Sequence, residues 1–391
     1  MSWRVSLEDL DALTLGAAIL GTGGGGNPYI GRLRARVLWQ RGLAAEIVEP
    51  ASIADGATVL SVGGIGAPTV AVEKIRRGDE EVQALRAIER HTGRRVDALV
   101  PVEIGGANSI RPLIVGALTG LPVIDADGMG RAFPELQMTT FFIYGVSPTP
   151  TAVADEKGNV VVVDRAMDAV AVERMARLVC TYMGGTAGMA LGLMSGADMR
   201  RTSVQGTLTL ARRLGQAVLA ARARHADPVE AVRVVTNAHL LFRGKIVDVR
   251  QRTERGFARG QFVVSGADDF AGASLAVEFQ NENLIARRDG EVLAVVPDLI
   301  CTIAAEDAEP VTTERLRYGL RVAVLGIPAP GILRQPEALQ FIGPRAFGYD
   351  LDYLHPLPGA YPATCPDENR GQPTACSRPT RRPRVRGQCR S

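Results

Sequence analysis

Apolar residues recur at helical spacing near the start of the chain and later gather in short continuous runs. Leu10, Leu13, Ala17 and Leu20 fall on one helical stripe, and Ser6 with Asp9 three residues on has the pattern of a capped helix start. Gly21 ends that helix. Asn27-Pro28 supplies the cap and first residue of a second helix reaching to about Gly42. Apolar runs follow at 58–66, 98–106 and 122–128, each closing on glycine, with helical stretches at 80–91 and 112–119 between them. Buried strands alternating with helices predict an α/β fold with a doubly wound parallel sheet, whose ligands bind beyond the strand C-termini.

A hairpin is expected over 151–164, then a helix near 167–183, a buried Gly-rich connection and a second long helix over about 204–226. From about Leu240 the texture changes to short β-rich runs at 245–250, 260–264, 274–280, 283–288, 291–296 and 321–325. The expected organisation is an N-terminal parallel-sheet α/β domain over 1–165, its helical continuation over 166–239, and a smaller β-rich C-terminal domain over 240–353. Residues 354–391 form a Pro- and Arg-rich tail expected to be disordered, because its composition cannot bury a core.

Composition changes little in this picture. Of the 391 residues, 46% are hydrophobic and 22% charged, as in an ordinary globular protein. The net charge is +3, but the stretch 357–391 alone carries seven arginines against Asp367 and Glu368, or +5, so the rest of the chain is near −2. That balance argues against a nucleic-acid surface. The uncharged stretch 178–197 holds five glycines and lacks the apolar body of a membrane span. The five cysteines are scattered, with no C-x-x-C pair, and no secretory signal opens the chain; a reduced cytoplasm is the expected location.

The chemistry is concentrated in four segments. The first, 21–31, reads GTGGGGNPYIG and contains a literal G-x-G-x-x-G at Gly21, Gly23 and Gly26. A dinucleotide fingerprint needs a strand before those glycines, and here a helix is expected. Gly23, Gly24, Gly25, Gly26 and Asn27 are instead read as backbone that a ligand approaches, or as a tight interhelical turn. The second segment places Glu103 inside an apolar strand, followed by Gly105, Gly106 and Asn108; such a carboxylate is either paired in the core or functional. The third, 122–139, carries Asp125, Asp127, Arg131 and Glu135 in an apolar, Gly-punctuated run. The two aspartates point the same way if the chain is extended, which suits a cation, though Asp-Gly is also turn chemistry. The fourth, Asn281, Glu282 and Asn283, lies between strand-like runs, as a hairpin turn or as groups that fix a polar heterocycle or a metal. The four histidines show no zinc spacing, and neither a G-x-S-x-G elbow nor a P-loop occurs.

These motifs stand in a characteristic order: GTGGGGNPY, EIGGANS, DADGMGRAFPELQMTT, FRGKIVDVRQRT-x-x-GF-x-RG, EFQNENL, PDLI and PRAFGYDLDY, spanning about Leu15 to Tyr353. On them the sequence resembles the DUF917 family, also described as S-methyl-thiohydantoin desulfurase-like proteins. The resemblance implies hydantoin or thiohydantoin breakdown, and an α/β domain followed by a β-rich one. The expected activity is hydrolysis of a five-membered cyclic amide or thioamide by activated water. Glu103, Asp125 or Asp127 would be the base, directly or through a divalent metal that all three could ligate, with Arg131 or the Gly-loop amides stabilising the developing anion. Asn108 and 281–283 would hold the ring. The alternatives are a ligand-binding or accessory subunit serving a hydantoinase partner and, more weakly, a nucleotide-linked oxidoreductase. A small heterocyclic substrate, a homo-oligomeric state and no nucleic acid or membrane partner complete the expectations.

Overall fold

The computed structural model describes residues 2–254, 257–353 and 356–362. The first helix runs Leu7–Leu20 with the Ser6–Asp9 capping box in place, and the second runs Tyr29–Gln40. The Gly loop lies between them. An eight-stranded sheet follows the order Trp3–Arg4, Glu46–Val48, Val123–Ile124, Ala98–Pro101, Thr58–Gly66, Thr186–Ser195, Thr151–Ala154, Val160–Val163. Its four strands from Glu46–Val48 to Thr58–Gly66 are parallel, while the remaining pairings are antiparallel. The sheet is therefore mixed, with a parallel centre.

One correction concerns the Gly-rich stretch. It is not a connection: Thr186–Ser195 is a ten-residue strand wedged between Thr58–Gly66 and Thr151–Ala154. Its many small residues suit a strand covered on both faces, where Gly188 packs directly on Glu80 and Glu81 of the helix Glu80–Thr92. Residues 166–239 thus complete the first sheet as well as adding the helices Ala169–Tyr182, Thr207–Ala223 and Pro228–Thr236.

The second sheet has seven strands, all antiparallel, in the order Glu291–Val295, Glu282–Arg288, Ser274–Gln280, Phe257–Gly266, His239–Glu254, Arg321–Ile327, Leu299–Ala304. It curls into a half-barrel, because Asn283 in the second strand donates from Nδ2 to the Ile300 carbonyl in the last at 2.9 Å. The two sheets share their cores. Leu10 and Leu13 of the first helix belong to one apolar cluster with Leu299, Cys301 and Leu325, and Val102 and Phe133 cluster with Leu284 and Ile285. Among the described residues no helix is long and apolar enough to cross a membrane.

The expected disorder from 354 is corrected at its start. Residues 356–362 pack onto the body: the Leu357 amide donates to Asp298 Oδ2 at 2.7 Å, and Tyr361 donates its hydroxyl to the Gly130 carbonyl. The rest of that segment lies outside the described residues.

Candidate functional site

Gly24, Glu103 and Glu282 meet at a cavity of about 250 Å³ between the parallel strand ends and the half-barrel. Its walls come from Gly64–Ala67 at the end of one parallel strand, Glu103, Ala107 and Asn108 after the next, the Gly loop, Phe133–Leu136, and Asn281-Glu282 with Thr313-Glu314 from the half-barrel. Position beyond strand C-termini is the usual ligand position of such sheets.

The Gly loop is built for close approach. Gly24 lies so near Glu282 that a Cβ there would collide with Oε1, and Gly25, in the left-handed region at φ +71°, would put a Cβ 2.5 Å from the Gly105 carbonyl. The Gly25 amide donates to Glu282 Oε1 at 3.3 Å, and its carbonyl accepts from Ala107 N at 2.9 Å. The glycines therefore let one strand of backbone thread between Gly105-Gly106 and a carboxylate.

Glu103 and Glu282 are both buried, at 5% and 2% exposure. Asn108 holds Glu103: its Nδ2 donates to Oε1 at 2.7 Å, while its Oδ1 accepts from Gly64 N at 2.8 Å. The Phe133 amide donates to Glu103 Oε2 at 3.3 Å. Burial, and then the negative charge of Glu282, push the Glu103 carboxyl well above the usual carboxylate range. Burial raises Glu282 to about 8, opposed by the positive charge of Arg131 and by the Gly25 amide. Glu282 Oε2 has no partner among the described residues. Both carboxyls are thus pushed toward their neutral forms, one held by Asn108 and the Phe133 amide and one with an oxygen that meets no partner among the described residues.

The structure redistributes the sequence candidates. Gly24, Gly25, Gly26, Asn27, Glu103, Asn108, Glu135, Asn281 and Glu282 line the cavity. Gly23, Gly105, Gly106 and Asn283 stand behind that lining. The Gly23 carbonyl accepts from Thr313 N, and Asn283 Nδ2 spans to Ile300 and Thr302 inside the half-barrel.

Asp125, Asp127 and Arg131 are corrections. Asp125 Oδ1 accepts from the amides of Leu208 and Thr209, capping the start of the helix Thr207–Ala223. Asp127 Oδ2 accepts from the amides of Ile104, Met129 and Gly130, fixing the turn between two strand ends. Neither lines the cavity, and together with Glu103 they do not form a metal site: among the described residues no three His, Cys, Asp or Glu side chains converge on one. Arg131 is fully buried and its guanidinium is occupied by the carbonyls of Ala132, Pro297, Asp298 and Asn283 and by the Thr22 hydroxyl. It clamps the Gly loop to the half-barrel and has no donor left for a substrate anion.

Sequence reasoning did not find the basic part of the wall. Arg34, Arg76 and Arg111 line the cavity beside Gly64, and Glu173 with Arg177 closes another side. Dispersed arginines on helices and loops carry no local motif, so only the folded arrangement shows them together.

Two family profiles match the chain: S-Me-THD-like, N-terminal domain, over residues 8–165, and S-Me-THD-like, C-terminal domain, over residues 167–356. A crystal structure of a protein from Chromobacterium violaceum is similar with TM-score 0.77 and 27% identity, covering 91% of this chain and 100% of that one. No curated protein matches. With both profiles in sequence over the two sheets and the cavity between them, the chain belongs to the S-Me-THD-like family, formerly DUF917.

Proposed function

We propose that this cavity hydrolyses a five-membered cyclic amide or thioamide of the hydantoin or thiohydantoin class. The observation that carries the reading is the buried Glu103–Glu282 pair, contributed by the two different sheets and lining one cavity. Arg131 and the Gly25 amide favour the ionised form of Glu282, and in that form Glu282 is the base that takes a proton from water, so turnover rises as pH approaches about 8. Glu103, expected from sequence as the base, is better suited as the acid, because burial and the negative charges of Glu282 and Asp127 favour its neutral form. Water adds to the C=S carbon, Glu103 protonates the departing sulfur, and the products are the oxo ring and hydrogen sulfide. On a hydantoin the same pair protonates the ring nitrogen and opens the C–N bond.

The test is sulfide release and ring opening measured on a panel of thiohydantoins and hydantoins. Glu103→Gln and Glu282→Gln should each lower kcat by ~10²–10⁴-fold, the usual share of general acid–base catalysis. Turnover unchanged in both variants would refute the assignment.

A further inference from the structure

Arg34, Arg76 and Arg111 stand on one wall of the cavity, and the protein provides two carboxylates, Glu80 and Glu81, against their three charges. Arg76 donates to Glu81 Oε1 at 2.8 Å and approaches Glu80 Oε1 at 3.4 Å, and Arg111 pairs with the same Glu81 oxygen. Arg34 donates only to a neutral partner, the Gly78 carbonyl, at 2.7 Å. Both oxygens of Glu80 also accept backbone amides, from Arg77 and Gly78. Within this hydrogen-bonded group three guanidiniums share two carboxylates, while Glu103, Glu135, Glu173, Glu282 and Glu314 line the rest of the cavity. Burial, and then the Arg76 charge, bring Arg111 down to about 10 against the pull of Glu81.

The seat of Arg111 is itself built. A side chain at Gly64 would run into its guanidinium, so glycine is what lets the group lie flat against that strand end. Its Nε is buried and meets no acceptor among the described residues. The next amide interaction on the same backbone, Gly64 N to Asn108 Oδ1, leads to Glu103. A ligand engaging Arg111 therefore lies beside the acid. The cavity, about 250 Å³, is below the ~300–1,000 Å³ typical of drug-sized ligands, which suits one ring and a short arm.

We infer that Arg111, with Arg34 and Arg76, binds a carboxylate arm of the substrate, so that the substrates are cyclic amides or thioamides carrying a short acidic substituent. This rests on the hydrolytic reading of the same cavity. Guanidinium–carboxylate pairs in a desolvated site are charge-assisted and geometrically specific, which gives the arm its orienting effect.

The test uses calorimetric titration of the Glu282→Gln protein, which binds without turning over. Its probes are hydantoin-5-acetate, the corresponding acetamide, and succinate as a ring-free diacid. The acetate should bind ~10-fold or more tightly than the acetamide, as a charge-assisted hydrogen bond predicts. Arg111→Met should bring that ratio to about one. Arg34→Gln, which leaves the Glu81 pair intact, should reduce it and serves if Arg111→Met fails to fold. Equal affinities, or a ratio that survives both substitutions, would overturn the subsite. Succinate binding that depends on Arg111, with no ring compound bound, would support the subsite and sink the hydrolytic reading.

Discussion

Glu282 shows how much a single carboxyl can be asked to do. It sits against Gly24, accepts from Gly25, and titrates from its ordinary 4.5 up to about 8 through burial. The folded protein then holds a proton that the unfolded chain releases, so this carboxyl's stabilising contribution is complete below 4.5 and disappears as pH rises through about 8. Asp127, raised from 3.8 to about 7, acts in the same direction. The urea midpoint should fall across this window, and Glu282→Gln, which cannot ionise, should flatten part of the slope. An identical slope in the variant would show that Glu282 does not carry the linkage. In the sequence Glu103 stood out as a charge inside an apolar strand and Glu282 as a carboxylate between two amides, and both line the cavity. Asp125 and Asp127 stood out in an apolar, Gly-punctuated run and do not line it. The difference is which amides fold back onto them, Leu208 and Thr209 for one and Ile104, Met129 and Gly130 for the other. No local pattern reveals a partner 83 residues away, as Leu208 is from Asp125.

The clearest element-level device is the crossing of Leu7–Leu20 with Thr207–Ala223. Gly16 of the first helix rests on the backbone of Ala211, and Gly215 of the second rests on that of Ala12; a Cβ at either would collide with a carbonyl oxygen. This reciprocal contact sets the distance of the Gly loop from the helix that Asp125 caps. Gly215→Val should cost about 1–3 kcal/mol or more, the range for overpacking a filled interface, read as a lower denaturation midpoint. An unchanged midpoint would mean that the crossing is looser than drawn. Helix periodicity made the first of these helices legible to within a residue. The strand Thr186–Ser195 was not legible: a Gly- and Met-rich run buried on both faces lacks the alternation that marks a half-buried strand. The strand Leu299–Ala304 and the helix Pro228–Thr236 were likewise unread, although Asp227-Pro228 is a good cap and first residue.

At the scale of the whole molecule, the family boundary and the folding boundary differ. The C-terminal profile begins at residue 167, yet Thr186–Ser195 sits within the eight-stranded sheet and separates Thr58–Gly66 from Thr151–Ala154. A fragment of residues 1–165 would therefore leave two strand edges facing an empty slot, a liability for aggregation. Expressed alone it should be insoluble or lack cooperative melting, and co-expression with residues 166–391 should rescue it. A soluble, cooperatively melting 1–165 fragment would contradict this. The two-part order of α/β and then β was readable from the change of period near Leu240. The sharing of one core by both parts was not, because apolar periodicity tells which face is buried and not what covers it. The motif PDLI gives an example: Asp298 takes the Ala329 and Leu357 amides and the Tyr353 hydroxyl, tying distant segments rather than serving the cavity.

Arg131 joins these scales. It bolts Thr22 to Asn283 and Asp298, and the same charge holds down the proton affinity of Glu282. Closure and acidity are thus written into one side chain. Any loosening that lets water between the two sheets hydrates the carboxyls as it slackens the bolt, and returns them toward ordinary acids. The raised proton affinities exist only while the molecule is shut, so on the proposed mechanism the site is disarmed whenever it gapes.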